Sequence, residues 1–236
     1  LAELERRVPD PTAAVGSGWA VNLWADRLFF QASVAIIFGE IGHLTPKEFI
    51  ADREKMSGRP FDVAAMKAAA GPMSGQWRGH AAWIEHALAD APYLSGASPG
   101  VADVAAYMNI WWLGGALPAT YARLTEGLTR LGAWRERMAA IGHGARTEIT
   151  GRAALDIARD SEPGLAPAHD VHDPLGLDPG APVVVMADDY GRDPIAGELV
   201  AASPDRIVIA RQADGLGRLN LHFPRVGFVA VPAAKP

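Results

Sequence analysis

The stretch 93–112, YLSGASPGVADVAAYMNIWW, sets a single carboxylate, Asp103, at the mouth of a long apolar run. A carboxyl group there can serve as a general acid or base, or it can fasten a helix end. Counting back favours fastening. Gly100 falls at the N-cap and Asp103 at the third helical position, where a carboxylate reaches the N-cap N–H and lies in the positive end of the helix dipole. Other side chains have chemical potential. In 17–40, SGWAVNLWADRLFFQASVAIIFGE, the residues Trp24, Arg27, Leu28 and Gln31 share one face at helical spacing. Arg27 suits an anionic ligand group or a partner subunit, but an ion pair with Asp26 or Glu40, or a plain packing role, is the favoured reading. Trp111 and Trp112 point to different sides of their helix, one towards the core. HDVHD, from His169 to Asp173, has metal-ligand side chains, but among prolines that fix no ligand geometry, so a solvated linker is the favoured reading. DDYGRD lacks the calcium-loop spacing and its terminal Glu, and reads as a polar hairpin loop. His143, between glycines and near Arg146, suits a helix C-cap better than an anion site. His80 and His86, beside Trp77 and Trp83, read as satisfied interfacial histidines. No nucleophile elbow, phosphate loop or dinucleotide fingerprint is present, and no metal is expected. With no Cys, disulfides, thiolate ligands and Cys nucleophiles are excluded.

The elements that must position these groups follow from composition and period. In 236 residues about half are apolar, enough for a core without staples. A net charge of −5 without a Lys/Arg block argues against nucleic acid. Neither a spanning helix nor a signal peptide is expected, hence no membrane partner. All seven Trp precede residue 135, and strand-like alternation begins only after 182; five prolines fall within 161–182. The division predicted is 1–18, the end of a preceding domain and a linker; 19–160, a helical domain; 161–181, a Pro-rich linker; and 182–232, a small β domain. Further helices are read in 47–56, after an Asp62 cap, from Met73 to Leu88 beyond a break or kink at Gly71-Pro72, and over 101–113, 118–124 and 131–141. Thr150 caps a last one. Five strands are read at 182–187, 195–201, 206–211, 218–223 and 226–231, forming a small SH3-like barrel. Its five Arg against six acidic residues argue weakly against nucleic acid, and Phe223, Pro224 and Phe228 suit docking on the helices or a peptide-binding edge. Leu1 opens on what reads as a helix body, LAELERR, so the chain is expected to be a fragment of something longer.

Gly96, Pro99, Ala102 and Asp103 resemble the Gly-x-x-hydrophobic-(Ser/Thr)-x-Ala-Asp motif of the helical C-terminal domain of glutathione S-transferases. Gly100 departs from the usual Ser/Thr, at a cost of roughly a few tenths of a kcal/mol. LGAWRERMAAIG resembles that family's late Leu-x-x-Trp helix, Trp24-Ala25-Asp26-Arg27 its long leading helix, and LAELERRVPDP the end of its thioredoxin-like domain. The resemblance spans about residues 1–145 and implies a transferase-like helical bundle, with the thioredoxin-like domain absent; the tail beyond 170 lies outside that family's usual pattern, so the fold expected is mainly α, the bundle followed by the appended SH3-like barrel. The resemblance implies glutathione as co-substrate, with no tightly bound cofactor, and a small electrophile conjugated or reduced by a cytoplasmic homodimer in detoxification. This chain would supply the dimer surface and an apolar pocket lined by Trp24, Arg27, Leu28, Gln31 and Trp112, while catalytic and glutathione-binding residues stay unassigned. Alone it is expected to be inactive. The alternative is a non-catalytic binding module of the same fold with a protein-binding β domain.

Overall fold

The computed structural model describes residues 15–233. The reading of LAELERRVPDP as a helix end lies outside the described residues. The elements are α1 (Val15–Trp24), a π turn (Ala25–Phe29), α2 (Phe30–Ile41), a 3-10 turn (Gly42–Leu44), α3 (Lys47–Ser57), α4 (Val63–Ala87), α5 (Val101–Ala116), α6 (Pro118–Leu124), α7 (Thr129–Ala140) and α8 (Gly151–Arg159), then β1 (Pro182–Ala187), β2 (Ile195–Ala202), β3 (Arg206–Ala213), β4 (Gly217–Pro224) and β5 (Phe228–Pro232). Contacts gather them into two units, one running to Phe49 and resuming over Phe61–Ala145, the other made of Ile50–Pro60 and the residues from Arg146 onward.

In the first unit α2, α4, α5 and α7 enclose Phe29, Ile36, Trp77, Ile84, Ile110, Leu113, Leu131 and Trp134, each 2% exposed or less. By length and composition alone, Gly16–Leu44 is apolar enough to cross a membrane, which the sequence reading had excluded. Here that stretch is the central helix of the bundle, with Phe29, Ala32, Ile36 and Ile37 buried. Close approach of α2 to α4 depends on Gly39, where a Cβ would stand 2.9 Å from the Met66 carbonyl oxygen and 3.2 Å from Lys67 Cα. Of the break or kink expected at Gly71-Pro72, the break does not occur: α4 runs through Pro72. Packing on both sides of the proline outweighs its missing N–H. Met66 and Ala70 lie against Gly39 before it, and Trp77, Ala81 and Ile84 enter the core after it. Asp62 Oδ1 accepts the Ala65 N–H at 2.9 Å, and Thr150 Oγ1 the Ala153 N–H at 3.1 Å, as the N-cap pattern predicts.

The second unit corrects the fold class. Its five strands form an antiparallel sheet in the order β4-β3-β2-β1-β5. The sheet is open, so the fold is helices plus an open sheet and not a mainly α chain with a closed SH3-like barrel. β4 and β5 are consecutive in the chain yet occupy opposite edges. A flat sheet would separate them by roughly 19 Å, whereas the link from Pro224 to Phe228 reaches at most about 14 Å. The sheet therefore coils strongly without zipping its edges together. Val183, Val185, Leu199, Ile207, Ile209 and Phe223 form its core, and Phe223 meets Phe228 at 5.3 Å within it. These rings are thus used by the sheet itself. HDVHD is solvated only in part: Val171 and His172 are exposed, whereas its other three residues engage the sheet. The Asp170 N–H donates to the Ala202 carbonyl at 2.8 Å, His169 Nδ1 accepts the Ala202 N–H at 3.2 Å, and Asp173, 7% exposed, pairs with Arg225 at 3.2 Å. Gly180 and Ala181 bond Leu199 in the same way, and Leu175 and Leu177 cover the core. Proline prevents a regular ladder here but leaves single bonds to β2 available.

Candidate functional site

Asp103 is fully buried. Oδ1 accepts the Leu94 N–H and the Trp134 indole N–H, both at 2.8 Å; Oδ2 accepts the Ser95 N–H at 3.0 Å and the Gly100 N–H at 3.1 Å. Four fixed donors and no solvent leave this carboxylate nothing to offer a substrate. It joins the loop before α5, the first turn of α5 and the middle of α7, which goes beyond the cap that the spacing predicts. Gly100 has a local cause as well: a Cβ there would meet Ser95 Oγ at 2.5 Å, so the usual Ser/Thr does not fit. A second buried carboxylate, Glu85 of α4, accepts the N–H groups of Arg130 at 3.2 Å and Leu131 at 2.7 Å. It caps α7, whose own N-cap residue, Leu128, has no side-chain acceptor.

Four of the residues expected to line a pocket lie in or beside the π turn, and the fifth, Trp112, lies on α5. In an α-helix residues five apart stand about 140° apart around the axis. The wider π turn brings Trp24 over Phe29, ring centroids 5.3 Å apart and planes at 28°. Trp24 thereby swings to α4, where its Nε1–H donates to His80 Nδ1 at 3.1 Å and its ring meets Trp83 at 5.9 Å. Arg27 is half-buried, whereas Leu28 and Gln31 are exposed. The face drawn at constant α period is therefore divided, with Trp24 turned inward and Leu28 and Gln31 outward. Trp112 is half-buried, stacked on Phe30 at 5.5 Å and edge-on to Phe38 at 6.1 Å; Trp111 is the outward one, 56% exposed. A cleft of about 370 Å³ lies between residues 88–92 and α7, flanked by Arg130 and Arg137; none of the five predicted pocket residues lines it.

A buried polar chain holds the π turn. The Trp77 indole N–H donates to Ser33 Oγ at 3.2 Å, and Ser33 Oγ–H to Asn109 Oδ1 at 2.9 Å. Asn109 Nδ2–H donates to the Ala25 carbonyl at 3.0 Å, which also takes the Phe30 N–H that defines the π turn. Such turns recur at functional sites. Sequence reasoning passed over Ser33, Asn109 and the His80 bond. The available signal was a lone amide and a lone hydroxyl inside apolar helices, because buried polar groups need partners. Burial pushes the His80 pKa below its ordinary 6.5. Because Nδ1 accepts, the neutral ring carries its proton on Nε2.

Among the described residues no group of three or more His, Cys, Asp or Glu is placed to hold a metal ion. The described sheet is wholly antiparallel, so no βαβ thiol-binding unit lies within it. Comparison with curated proteins finds no match. Six solved chains match. One is a GST-like protein from Pseudomonas syringae, at TM-score 0.75 and 22% identity, the match covering 98% of this chain and 74% of that one. The shared fold therefore takes in the sheet as well as the helices. Residues 67–137 match the family model of the glutathione S-transferase C-terminal domain, so this chain is similar to glutathione S-transferases over α4 to α7 and shares the fold of a GST-like protein over nearly its whole length.

Proposed function

We propose that this chain is the helical and β portion of a glutathione S-transferase-like protein that conjugates or reduces small electrophiles with glutathione. The observation that carries the reading is the Asp103 clamp lying inside the family match at 67–137. In the reaction a thiolate, formed by a hydrogen bond and nearby positive charge, attacks an electrophilic carbon; a C–S bond forms and the leaving group departs with its electron pair. The role assigned to this chain is an apolar wall for the electrophile, with Trp24, Arg27, Leu28, Gln31 and Trp112 as its residues, and a dimer surface, in the cytoplasm. Helices over 19–160 and a β domain over 182–232 are the working division. A second reading, a non-catalytic binding module with a protein-binding β domain, is favoured by the lack of any thiol-binding unit among the described residues.

Conjugation of 1-chloro-2,4-dinitrobenzene and retention on immobilised glutathione, measured for this chain and for the full gene product, separate the two. The transferase reading expects turnover by the gene product and none by this chain. Turnover by this chain alone would refute the division of labour. Neither turnover nor retention by the gene product would refute the transferase reading and leave the binding module.

A further inference from the structure

His80 is 8% exposed on α4 and is ringed by Trp24, Phe29 and Trp83, with centroids at 5.4, 5.2 and 5.1 Å. Its Nδ1 is the acceptor for the Trp24 indole, and an indole nitrogen can only donate. Protonated imidazole has two N–H donors and no acceptor. The bond therefore exists only with neutral His80, and protonation sets two donors against each other at 3.1 Å. Trp24 is the last residue before the π turn, so its release frees the entry to that turn.

The neighbouring charged or titratable groups are committed elsewhere or turned to solvent. On α4, Arg78 donates to the Leu124 and Glu126 carbonyls, Glu85 caps α7, and His86 is exposed. On the π turn, Asp26 is exposed and Arg27 half-buried. From α5 the nearby polar group is the neutral Asn109, tied to Ser33 and Ala25. Burial, not a neighbouring charge, sets the titration of His80.

We propose that His80 is a positioning residue: as a neutral acceptor it locks Trp24 across the π turn, and its protonation converts that lock into a donor–donor contact that releases Trp24. The consequence for an electrophile wall rests on the transferase reading, but the lock itself does not. Above the ordinary histidine range Trp24 is held beside Trp83. As pH falls from 6.5 towards the lowered folded-state value the contribution of neutral His80 to stability is lost, and the Trp24 indole turns free as pH passes below that value.

The whole chain, labelled with 15N-tryptophan, tests this by NMR. The Trp24 indole N–H resonance, identified by its disappearance in Trp24→Phe, is expected to shift with pH at the midpoint of the His80 Cε1–H, below 6.5. His80→Gln keeps an acceptor without a titration, so its Trp24 resonance stays at the neutral position at every pH. His80→Leu removes the acceptor, and its Trp24 N–H exchanges with solvent roughly tenfold faster at neutral pH. Three results would overturn the proposal: a Trp24 resonance that does not follow His80, a pH response surviving in His80→Gln, or cooperative acid unfolding with no earlier step. Should His80→Leu fail to fold, the wild-type and His80→Gln titrations decide alone. A lock seen by NMR in a gene product that does not conjugate supports this proposal and fails the transferase reading; conjugation without the coupled titration does the reverse.

Discussion

Replacing Asp103 by Asn keeps the shape of the side chain and exchanges one of its two acceptor oxygens for a donor. Two of the four bonded N–H groups then face an NH₂, and the other two lose a charged acceptor. A hydrogen bond to a charged group contributes about 1.5–3 kcal/mol, and an orphaned buried donor costs about 1–3 kcal/mol. The expected loss is about 3–5 kcal/mol, a large part of the roughly 5–15 kcal/mol that stabilises a domain. Tryptophan fluorescence isolates the effect, because Trp19, Trp24, Trp77, Trp83, Trp111, Trp112 and Trp134 all belong to the helical unit. With a urea slope of about 2 kcal/mol per M, Asp103→Asn should lower the midpoint by about 1.5–2.5 M at unchanged slope. The companion Trp134→Phe removes one donor, and the double variant should cost less than the sum, since both singles break the same contact. A midpoint shift below about 0.3 M for Asp103→Asn would refute the clamp and the reasoning from it.

Other perturbations probe the remaining contacts. Glu85→Ala leaves the Arg130 and Leu131 N–H groups without their cap and should cost about 2 kcal/mol in the same fluorescence assay. Gly39→Ala drives a Cβ to 2.9 Å from the Met66 carbonyl and should destabilise by about 1–3 kcal/mol, whereas Gly75→Ala, in α4 with nothing within 4 Å, should stabilise by about 0.5–1 kcal/mol; thermal melts of the pair compare them. Gly100→Ser is expected to destabilise through its clash with Ser95, and Ser95→Gly with Gly100→Ser to recover wild-type stability or exceed it. Equal losses in the single and double variants would show that Ser95 is not the obstacle.

The N-caps at Asp62 and Thr150, the start of α5 at Gly100 and the five strands with their turns were legible because each depends on residues within four positions of one another. Asp103 could be placed at the third helical position by counting, and its bond to the Gly100 N–H follows from that alone. Its bond to Trp134, 31 residues away, could not, because no local pattern says which helix arrives there. For the same reason the partners of Glu85, Asn109 and His80 were not legible, although a lone amide inside an apolar helix signalled that Asn109 needed one. Periodicity assumes a constant turn, so a single π turn was enough to divide a face drawn at α spacing. The strand pattern likewise set where the chain is extended but not whether the sheet closes, since closure depends on which edges meet after coiling. The sequence by itself determined most of the elements, the local caps at Asp62, Gly100 and Thr150, and the family resemblance. Only the tertiary structure decided which distant donors satisfy its buried acceptors, because a buried polar group takes whatever partner the packing brings within 3 Å.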